Sequence, residues 1–257
     1  MPLVPALITA SGARAAFSTR RGGVSGGIFD SLNFGNPSEL TGPERDPPEN
    51  IRANFHILLE SAGIPPGGEL VQVFQVHGAA VLTVRPGRPA HAGPGDTKAD
   101  AIVTDDPART LCIRTADCTP ILLASADGKV VGAVHAGWRG VVTDVAGEAV
   151  RAMHALGVLE IRASIGPCIS FQHFEVGPEV IDQFRTLPGA AWRQPAQAGS
   201  KGFVDLQATL HAQLLSAGVT QIETLPLCTY ARDDLFFSHR RDKGRTGRMA
   251  SIITPAR

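Results

Sequence analysis

The sequence lacks several features that would assign it to common functional classes. No apolar run approaches the roughly 18–20 residues that cross a bilayer, so the sequence predicts no membrane-spanning segment. Lys and Arg together number 24 and Asp and Glu also number 24. This zero net charge argues against a dedicated binder of nucleic acid or of an anionic membrane, because both need a positive field. A few local arginines can still hold a small anion.

The four cysteines and eight histidines lack the spacings of familiar motifs. The cysteines form no CxxC pair, and the amino-terminal sequence has no basic segment before its short apolar run. We therefore expect neither a disulfide framework nor a secretory signal, and we expect a cytoplasmic protein. The chain has no His-Glu-x-x-His box, which excludes zinc proteases of that helical type. It also has no His-x-His pair, which a conventional multicopper oxidase needs.

Length and pattern favour one α+β domain. At about 150 residues per domain, a chain of 257 residues allows one large domain or two small ones, and no stretch is biased enough to be a linker. Strands and helices do not alternate strictly, which favours α+β over a βαβ fold. Apolar spacing predicts helices over 50–62 and 141–156 and one capped by Asp205 and ended by Gly218. It predicts strands over 71–76, 80–84, 101–104, 110–114, 120–124, 130–134, 161–165, 221–227, 236–239 and 249–253.

Three segments place chemically active side chains where a predicted strand meets a turn. These segments, 75–78, 116–120 and 135–140, contribute His77, Cys118 and His135. Glycine neighbours in the first and third allow a ligand to approach the backbone closely. The three side chains are far apart in the chain, so only the tertiary fold can bring them together.

The three residue types fit a zinc site. Two imidazoles and one thiolate, from His77, His135 and Cys118, leave the fourth tetrahedral position open, as catalytic zinc requires. Zinc in such a site polarises an oxygen or lowers the pKa of bound water to roughly 7. A packing role is the competing interpretation, in which Cys118 is a small buried apolar residue and each histidine is a satisfied loop residue.

Two other chemistries use the same residues. Cys118 as a thiolate nucleophile, with His135 as base and Asp117 as the orienting acid, is a cysteine-hydrolase arrangement. Two histidines and one cysteine are also the ligands of a blue-copper site, which usually adds a weak axial methionine. Beyond Met1 only Met153 and Met249 are available for that role, and neither lies near the three segments in sequence.

Several arginines and aromatic residues are further candidates for substrate binding. Planar guanidinium groups suit phosphate because they form bidentate hydrogen bonds, which makes Arg20, Arg139 and Arg240 candidates. Each can equally be a surface charge. Cys168, in a turn after a predicted strand, is a candidate pocket residue or a buried inert thiol. Three aromatic residues can stack on a base or simply pack: Trp138, Phe171 and Phe174.

Seven segments, taken in order, resemble the laccase-domain family, also called the YfiH-like or polyphenol oxidase family. They run from Phe17 to Asp242 and read FSTRRGGVS, SLNFG, QVHG, TADCTPILL, HAGWRG, IGPCI and FFSHRRD. HAGWRG with ADC upstream is highly specific for this family. In the last segment, His239 stands where many relatives carry Tyr.

The resemblance implies a fold, a metal and a set of activities. The fold is a single α+β domain over residues 1–257, with mixed β-sheets flanked by helices, shared with certain bacterial toxin cysteine hydrolases (CNF/YfiH-like). The motif residues that bind zinc fall on His77, Cys118 and His135. The family is credited with phosphorolysis of adenosine, inosine and S-methyl-5′-thioadenosine to free base and sugar phosphate, and with adenosine deamination. Copper-dependent polyphenol oxidation and peptidoglycan quality control are also attributed to it.

The leading hypothesis is therefore a zinc-dependent purine nucleoside phosphorylase with adenosine deaminase activity. Arg139, Arg20 and Arg240 would bind phosphate, and Asp117 and Cys118 would take part in the chemistry beside the metal. The alternatives are a cysteine hydrolase or amidase acting on cell-wall precursors, with Cys118 as nucleophile, and a copper enzyme that oxidises polyphenols. We expect small-molecule substrates, no nucleic-acid or membrane partner, and a monomer or weak dimer. The sequence does not rank the nucleosides.

Overall fold

Two mixed β-sheets face each other at the centre of the protein. The structure is a computed structural model, and it describes residues 2–65, 67–87, 97–195, 197 and 199–257. In these ranges the strands are β1 (Arg14–Phe17), β2 (Glu69–Val71), β3 (Val81–Val84), β4 (Ala101–Thr104), β5 (Arg109–Thr115), β6 (Thr119–Ser125), β7 (Val131–Ala136), β8 (Ile161–Ile165), β9 (Glu175–Val176), β10 (Ala191–Arg193), β11 (Gly202–Asp205), β12 (Gln221–Thr224) and β13 (Met249–Thr254). The α-helices are α1 (Ala6–Thr9), α2 (Pro48–Ser61), α3 (Trp138–Val142), α4 (Val145–Ala155), α5 (Pro178–Arg185) and α6 (Leu206–Ser216).

The two large sheets combine parallel and antiparallel pairs. One has the order β1-β13-β5-β2 and the other β12-β8-β6-β7-β4-β3, while β10-β11-β9 form a small third sheet. The pairs β2/β5, β3/β4 and β8/β12 are parallel, and β13/β5 and β6/β7 are antiparallel. This topology confirms the predicted α+β class. Within the described ranges, no helix is both long and apolar enough to cross a membrane.

Alternate side chains of the central strands enter different cores. Leu111 of β5 and Leu122 of β6 lie in the core between the two sheets. Cys112 of β5 faces the core that α2 covers, and Ile121 of β6 faces the core that α4 and α6 cover. The layers therefore run helix, sheet, sheet, helix. Strands buried on both faces read as continuous apolar runs, which is why the sequence predicts β4 and β8 at their observed bounds.

The strand predicted over 71–76 is wrong beyond Val71. β2 ends at that residue, and the N–H groups of residues 76–78 bond to the Asp100 carboxylate rather than to a neighbouring strand.

Two further predicted elements differ from the structure. The helix predicted over 141–156 is divided into α3 and α4, because Asp144 adopts a left-handed backbone (φ 59°) and its carboxylate accepts the N–H of Gly147 at the start of α4. The strand predicted over 236–239 is wrong. Phe236 and Phe237 are fully buried against Met249 in a segment of turns, so their apolar character reflects packing rather than sheet pairing.

The predicted cap of α6 is confirmed, and its contribution can be measured. The Asp205 carboxylate accepts the N–H of Ala208 at 2.9 Å. We expect Asp205→Ala to lower the free energy of unfolding by about 1 kcal/mol in a denaturant titration, the usual cost of losing an N-cap. Asp182→Ala, at an exposed position of α5, is the matched control, and equal effects of the two substitutions would contradict the capping role.

Candidate functional site

The three ligand-type side chains that the sequence singles out meet at one place. His77 lies in the turn between β2 and β3, Cys118 in the turn between β5 and β6, and His135 on β7. Their potential ligand atoms all lie within 4.8 Å of one another. The two imidazole rings meet edge to face, with centroids 4.9 Å apart. His135 is buried, Cys118 is half-buried and His77 is exposed, so the cluster opens towards solvent on the His77 side.

The backbone at two points of the cluster is left-handed although neither residue is glycine. His77 has φ 61° and Asp117, next to Cys118, has φ 88°. Such conformations cost of the order of 1–3 kcal/mol and persist only where the surrounding structure holds them. Hydrogen bonds that the buried carboxylates of Asp100 and Asp117 accept hold the two turns in place.

Asp100 holds the first turn and orients His135. Its fully buried carboxylate accepts the N–H groups of Val76, His77 and Gly78 at 3.2, 2.9 and 2.7 Å, and it bonds to Nδ1 of His135 at 2.8 Å. Burial alone would raise the pKa of Asp100, but the bonds from His135 and from the turn outweigh it and hold the pKa below its usual value. With Nδ1 bonded, Nε2 of His135 is free to act as a ligand.

The electrostatics of the cluster favour a thiolate. Burial opposes ionisation of Cys118, but the charge of His135 and hydrogen bonds from both histidines lower the pKa of Cys118 to about 6. Burial opposes protonation of His135, but the charge of Cys118 and the bond to Asp100 raise the pKa of His135 to about 9. The metal-free pair at neutral pH is a thiolate beside an imidazolium. A thiolate is the form that binds metals and that attacks electrophiles.

The lack of a side chain at Gly137 leaves room for the side chains of His77 and Cys118. A Cβ built on Gly137 would lie 2.7 Å from Cδ2 of His77 and 3.1 Å from Sγ of Cys118. The first separation is shorter than real Cβ contacts allow, so a side chain at this position would displace the ligands. The glycine after the ligand-bearing strand is therefore a steric requirement of the cluster.

The cluster lies in a cavity of about 510 Å³, a volume within the range of small-molecule sites. The walls combine apolar, cationic and anionic groups. Rings of Phe74, Trp138 and Phe174 line it, and Glu39 and His239 also contribute. Four arginines complete the lining: Arg114, Arg139, Arg240 and Arg248.

Asp117 lines this cavity, but both oxygens of its carboxylate already accept hydrogen bonds. Thr229 Oγ1 donates at 2.6 Å, Ser238 Oγ at 3.0 Å and the Arg240 N–H at 2.7 Å. The carboxylate is also nearly fully buried. These contacts connect the Cys118 turn to the 229–240 region and give both carboxylate oxygens a hydrogen-bond donor.

Arg139 and Arg240 line the cavity with exposed side chains that already have contacts. The Arg139 guanidinium lies over the Trp138 ring at 4.3 Å. The Arg240 guanidinium donates to the carbonyl of Glu175 at 2.8 Å and lies 5.2 Å from the centroid of Phe174. Both charges therefore lie at the exposed rim of the cavity.

Arg20 is not among the residues that line the cavity in the described part of the chain. Its guanidinium donates to the carbonyls of Asp30 and Asp233 at 2.7 and 3.2 Å and lies over the Phe237 ring at 4.5 Å. Burial lowers the pKa of Arg20. These contacts join the loop after β1 to the segment before Phe237, which is a structural role.

Cys168 also lies away from the described cavity lining. It is buried, and burial raises the pKa of its thiol. A buried, protonated thiol agrees with the inert interpretation of this residue.

Three residues of the site were missed by sequence reasoning: Asp100, Arg114 and Arg248. Asp100 directly precedes the fully buried strand β4, and Arg114 is the one charged residue among the interior positions of β5, an otherwise apolar run. A charged residue embedded in or bordering a buried strand is the signal that could have identified them.

Sequence comparison matches this chain to a family model and to named relatives. The family model described as multi-copper polyphenol oxidoreductase laccase matches residues 14–256. A protein of Shigella flexneri, purine nucleoside phosphorylase YfiH, is 37% identical over 251 residues, which are 98% of this chain and 97% of that protein. A purine nucleoside phosphorylase of Mycobacterium tuberculosis is 39% identical over 243 residues, which are 93% of this chain and 91% of that protein.

Solved structures show the same fold. A Neisseria meningitidis protein matches with a TM-score of 0.82 and 32% identity, over 100% of this chain and 99% of that chain. YlmD from Geobacillus stearothermophilus matches with a TM-score of 0.82 and 33% identity, over 96% and 93%. The sequence segments, the layered fold and these matches agree, and the chain belongs to the laccase-domain (YfiH-like) family.

Proposed function

We propose that this protein is a zinc-dependent purine nucleoside phosphorylase, which converts a purine nucleoside and phosphate into a free base and ribose 1-phosphate. The observation that carries the proposal is the composition of the cavity that contains the His77–Cys118–His135 cluster. It combines a metal-type cluster, aromatic walls and several guanidinium groups within about 510 Å³. The names of the curated relatives support the same activity.

The cluster fits a metal ion by its donor set. His77, Cys118 and His135 supply two imidazoles and a thiolate, and the Asp100 carboxylate orients His135 from behind, as acidic residues do for metal-bound histidines. Zinc suits this set with its fourth position open, and bound there it would supply Lewis-acid polarisation of a substrate oxygen. Copper is the alternative metal, but no methionine contributes to the cavity lining in the described ranges.

The protein's own groups bind and enclose the substrate. The exposed ring of Phe74 offers an aromatic face on which a purine can stack. Trp138 and Phe174, each with an arginine over its ring, extend the aromatic wall. Arg139 and Arg240 lie at the rim, where their charges attract phosphate into the cavity. Asp117 fixes the turn that carries Cys118. Adenosine, inosine and S-methyl-5′-thioadenosine are the proposed substrates.

Adenosine deamination at the same site is part of the proposal. Zinc deaminases need a glutamate that moves protons but does not bind the metal. Glu39 is a glutamate in the cavity lining, and its pKa is held below the usual value by its own backbone N–H and by His239, although burial opposes the shift. A carboxylate that is ionised at neutral pH can accept the proton from the attacking water.

The products test the proposal directly. Purified, zinc-loaded protein is incubated with adenosine and phosphate, and adenine, inosine and hypoxanthine are resolved by chromatography. Phosphorolysis predicts adenine that requires phosphate, and deamination predicts inosine that does not. Absence of any product above a His77→Ala control would refute the purine assignment.

The thiolate state of Cys118 favours one rival, a cysteine hydrolase or amidase. Metal analysis separates the two. Stoichiometric zinc that is lost in Cys118→Ala supports the zinc enzyme. Full activity after chelation, together with covalent trapping of Cys118 by substrate, would establish the hydrolase instead.

Asp100→Asn is expected to weaken zinc binding by about 10- to 100-fold, the usual effect of losing the carboxylate behind a metal-binding histidine. An amide keeps the shape but supplies one acceptor oxygen. Either His135 and His77, which share Oδ1, or Val76 and Gly78, which share Oδ2, therefore lose their acceptor. Competition with a chromophoric chelator measures the affinity. Asp127→Asn, at an exposed turn, is the matched control, and an unchanged affinity in Asp100→Asn would contradict the role of Asp100.

A further inference from the structure

Two arginines lie side by side in the inner wall of the cavity. The antiparallel register of β5 and β13 pairs Arg114 with Ala250, and Arg248 stands two residues before Ala250, immediately ahead of β13. Arg114 and Arg248 are therefore diagonal neighbours on one face of the sheet, within reach of each other for long side chains. Both line the cavity that contains the His77–Cys118–His135 cluster.

These two guanidinium groups are half-buried and lack carboxylate partners. Among the described residues, none accepts a hydrogen bond or forms an ion pair with the Arg114 guanidinium at bonding distance, and Arg248 donates through Nη1 to the carbonyls of Thr246 and Gly247 at 3.0 Å each. Burial lowers the pKa of both arginines. The negative charges of Glu39, Cys118 and Asp117 oppose this shift at Arg248, but among the described residues no carboxylate forms an ion pair with Arg248 within 4 Å. Holding unpaired cations out of bulk water is costly, and natural proteins accept that cost chiefly where an anion binds.

The other two arginines of the cavity differ in their exposure. Arg139 and Arg240 are exposed, and each guanidinium lies over an aromatic ring. Their charges face solvent, where interactions with an anion are screened. Arg114 and Arg248 present theirs inside the cavity, where the same charge interacts more strongly.

We propose that Arg114 and Arg248 form the phosphate subsite of the cavity. This inference rests on the proposed phosphorylase activity and assigns the phosphate to residues other than the rim arginines. Two adjacent planar forks can each donate paired hydrogen bonds to oxygens of hydrogen phosphate. One phosphate oxygen forms a bond to C1′ of the ribose as the bond from C1′ to the purine nitrogen breaks. The electron pair of the broken bond leaves on that nitrogen, which takes up the proton that phosphate gives up.

Gly35 fixes the position of the Arg114 guanidinium group. A Cβ built on Gly35 would lie 2.8 Å from Nη1 of Arg114, so the guanidinium packs directly over the Gly35 backbone. The Gly35 N–H donates to Asn33 Oδ1 at 3.1 Å, which holds this backbone in place. Gly35→Ala should therefore displace the Arg114 fork without changing any charge.

Steady-state kinetics test the subsite. We expect Arg114→Gln and Arg248→Gln each to raise the KM for phosphate about 10- to 100-fold, the usual effect of losing hydrogen bonds to a charged group, with the KM for nucleoside within about 2-fold of wild type. Two milder changes should raise the KM for phosphate by smaller factors. Arg114→Lys keeps the charge but loses the planar guanidinium group, and Gly35→Ala displaces that group. Arg151→Gln on the exposed face of α4 is the matched control. An unchanged KM for phosphate in both glutamine variants, or a larger rise in Arg139→Gln or Arg240→Gln, would overturn the proposal.

Binding of inorganic phosphate by calorimetry, in metal-free and zinc-loaded protein, separates this inference from the proposed function. Phosphate binding that Arg114→Gln abolishes, in a protein that cleaves no nucleoside, supports the subsite and refutes the phosphorylase. Phosphate-dependent cleavage with an unaffected KM for phosphate in both glutamine variants supports the phosphorylase and overturns the subsite. Thermal melting confirms that each variant is folded, and Arg114→Lys provides the readout if Arg114→Gln is not.

Discussion

Cys118→Ala is expected to abolish zinc binding and phosphorolysis together. The thiolate is the anionic ligand of the cluster, and its charge sets the protonation of His135. Without it, two neutral imidazoles remain, too few ligands to retain zinc against a chelator. We expect kcat/KM to fall by at least about 10³-fold, equivalent to about 4 kcal/mol. Atomic absorption of the purified variant and steady-state kinetics measure the two losses.

A second cysteine provides the control for this experiment. Cys228 is also half-buried but lies outside the described cavity lining, so Cys228→Ala should keep the zinc and most of the activity. Loss of activity in Cys118→Ala with zinc fully retained would show that Cys118 is a nucleophile rather than a ligand. Retention of both would remove Cys118 from the site.

Gly137→Ala is expected to damage the cluster without removing any ligand. Gly137 has φ −78°, which alanine adopts without strain, so the effect isolates the added methyl group. That methyl group would lie 2.7 Å from Cδ2 of His77 and 3.1 Å from Sγ of Cys118, and His77 must move. Because displacement of about an ångström at a catalytic group can cost 10²-fold, we expect kcat/KM to fall by about 10²-fold and zinc affinity to fall with it.

Gly26→Ala is the matched control for the steric argument. Gly26 also has a negative φ, −124°, and a Cβ there meets nothing within 4 Å. We expect wild-type zinc content and activity from this variant. Equal activity in Gly137→Ala and Gly26→Ala would show that the cluster accepts the methyl group. That result would contradict the steric requirement for glycine at position 137.

The sequence predicts those parts of the fold that depend on local pattern. Strands such as β4 and β8 are buried on both faces, so their apolar runs mark them at the correct bounds. The break between α3 and α4 was missed because Asp144 takes a left-handed conformation that helical periodicity does not encode. The Phe236–Phe237 pair shows the converse: an apolar run buried by loop packing cannot be distinguished from a strand by composition.

The sequence predicts the ligand-type residues of the candidate site, which stand beside turns, but it does not predict the charged residues that border or lie within buried strands. His77, Cys118 and His135 were identifiable because metal-type side chains stand beside turns, although their convergence to within 4.8 Å follows only from the tertiary structure. Arg114 was missed because only the pairing of β5 with β13 reveals its neighbour Arg248.

The structure shows contacts of Arg20 and Asp117 that their sequence positions do not reveal. Arg20 and Asp117 stand in the segments that carry the family resemblance, which made them candidates for phosphate binding and proton transfer. In the structure Arg20 bonds to loop carbonyls outside the described cavity lining, and the Asp117 carboxylate is occupied by three donors. A residue in a characteristic segment can therefore serve to hold the site rather than to act in it.

Phosphorus NMR of zinc-loaded protein with inosine and inorganic phosphate tests the proposed phosphorolysis most directly. Phosphorolysis predicts a ribose 1-phosphate signal that grows as phosphate declines, in equal amount to the hypoxanthine released, and that is absent with the Cys118→Ala variant. Hypoxanthine released with no ribose 1-phosphate would show hydrolysis instead. No change in either signal would contradict the proposed activity.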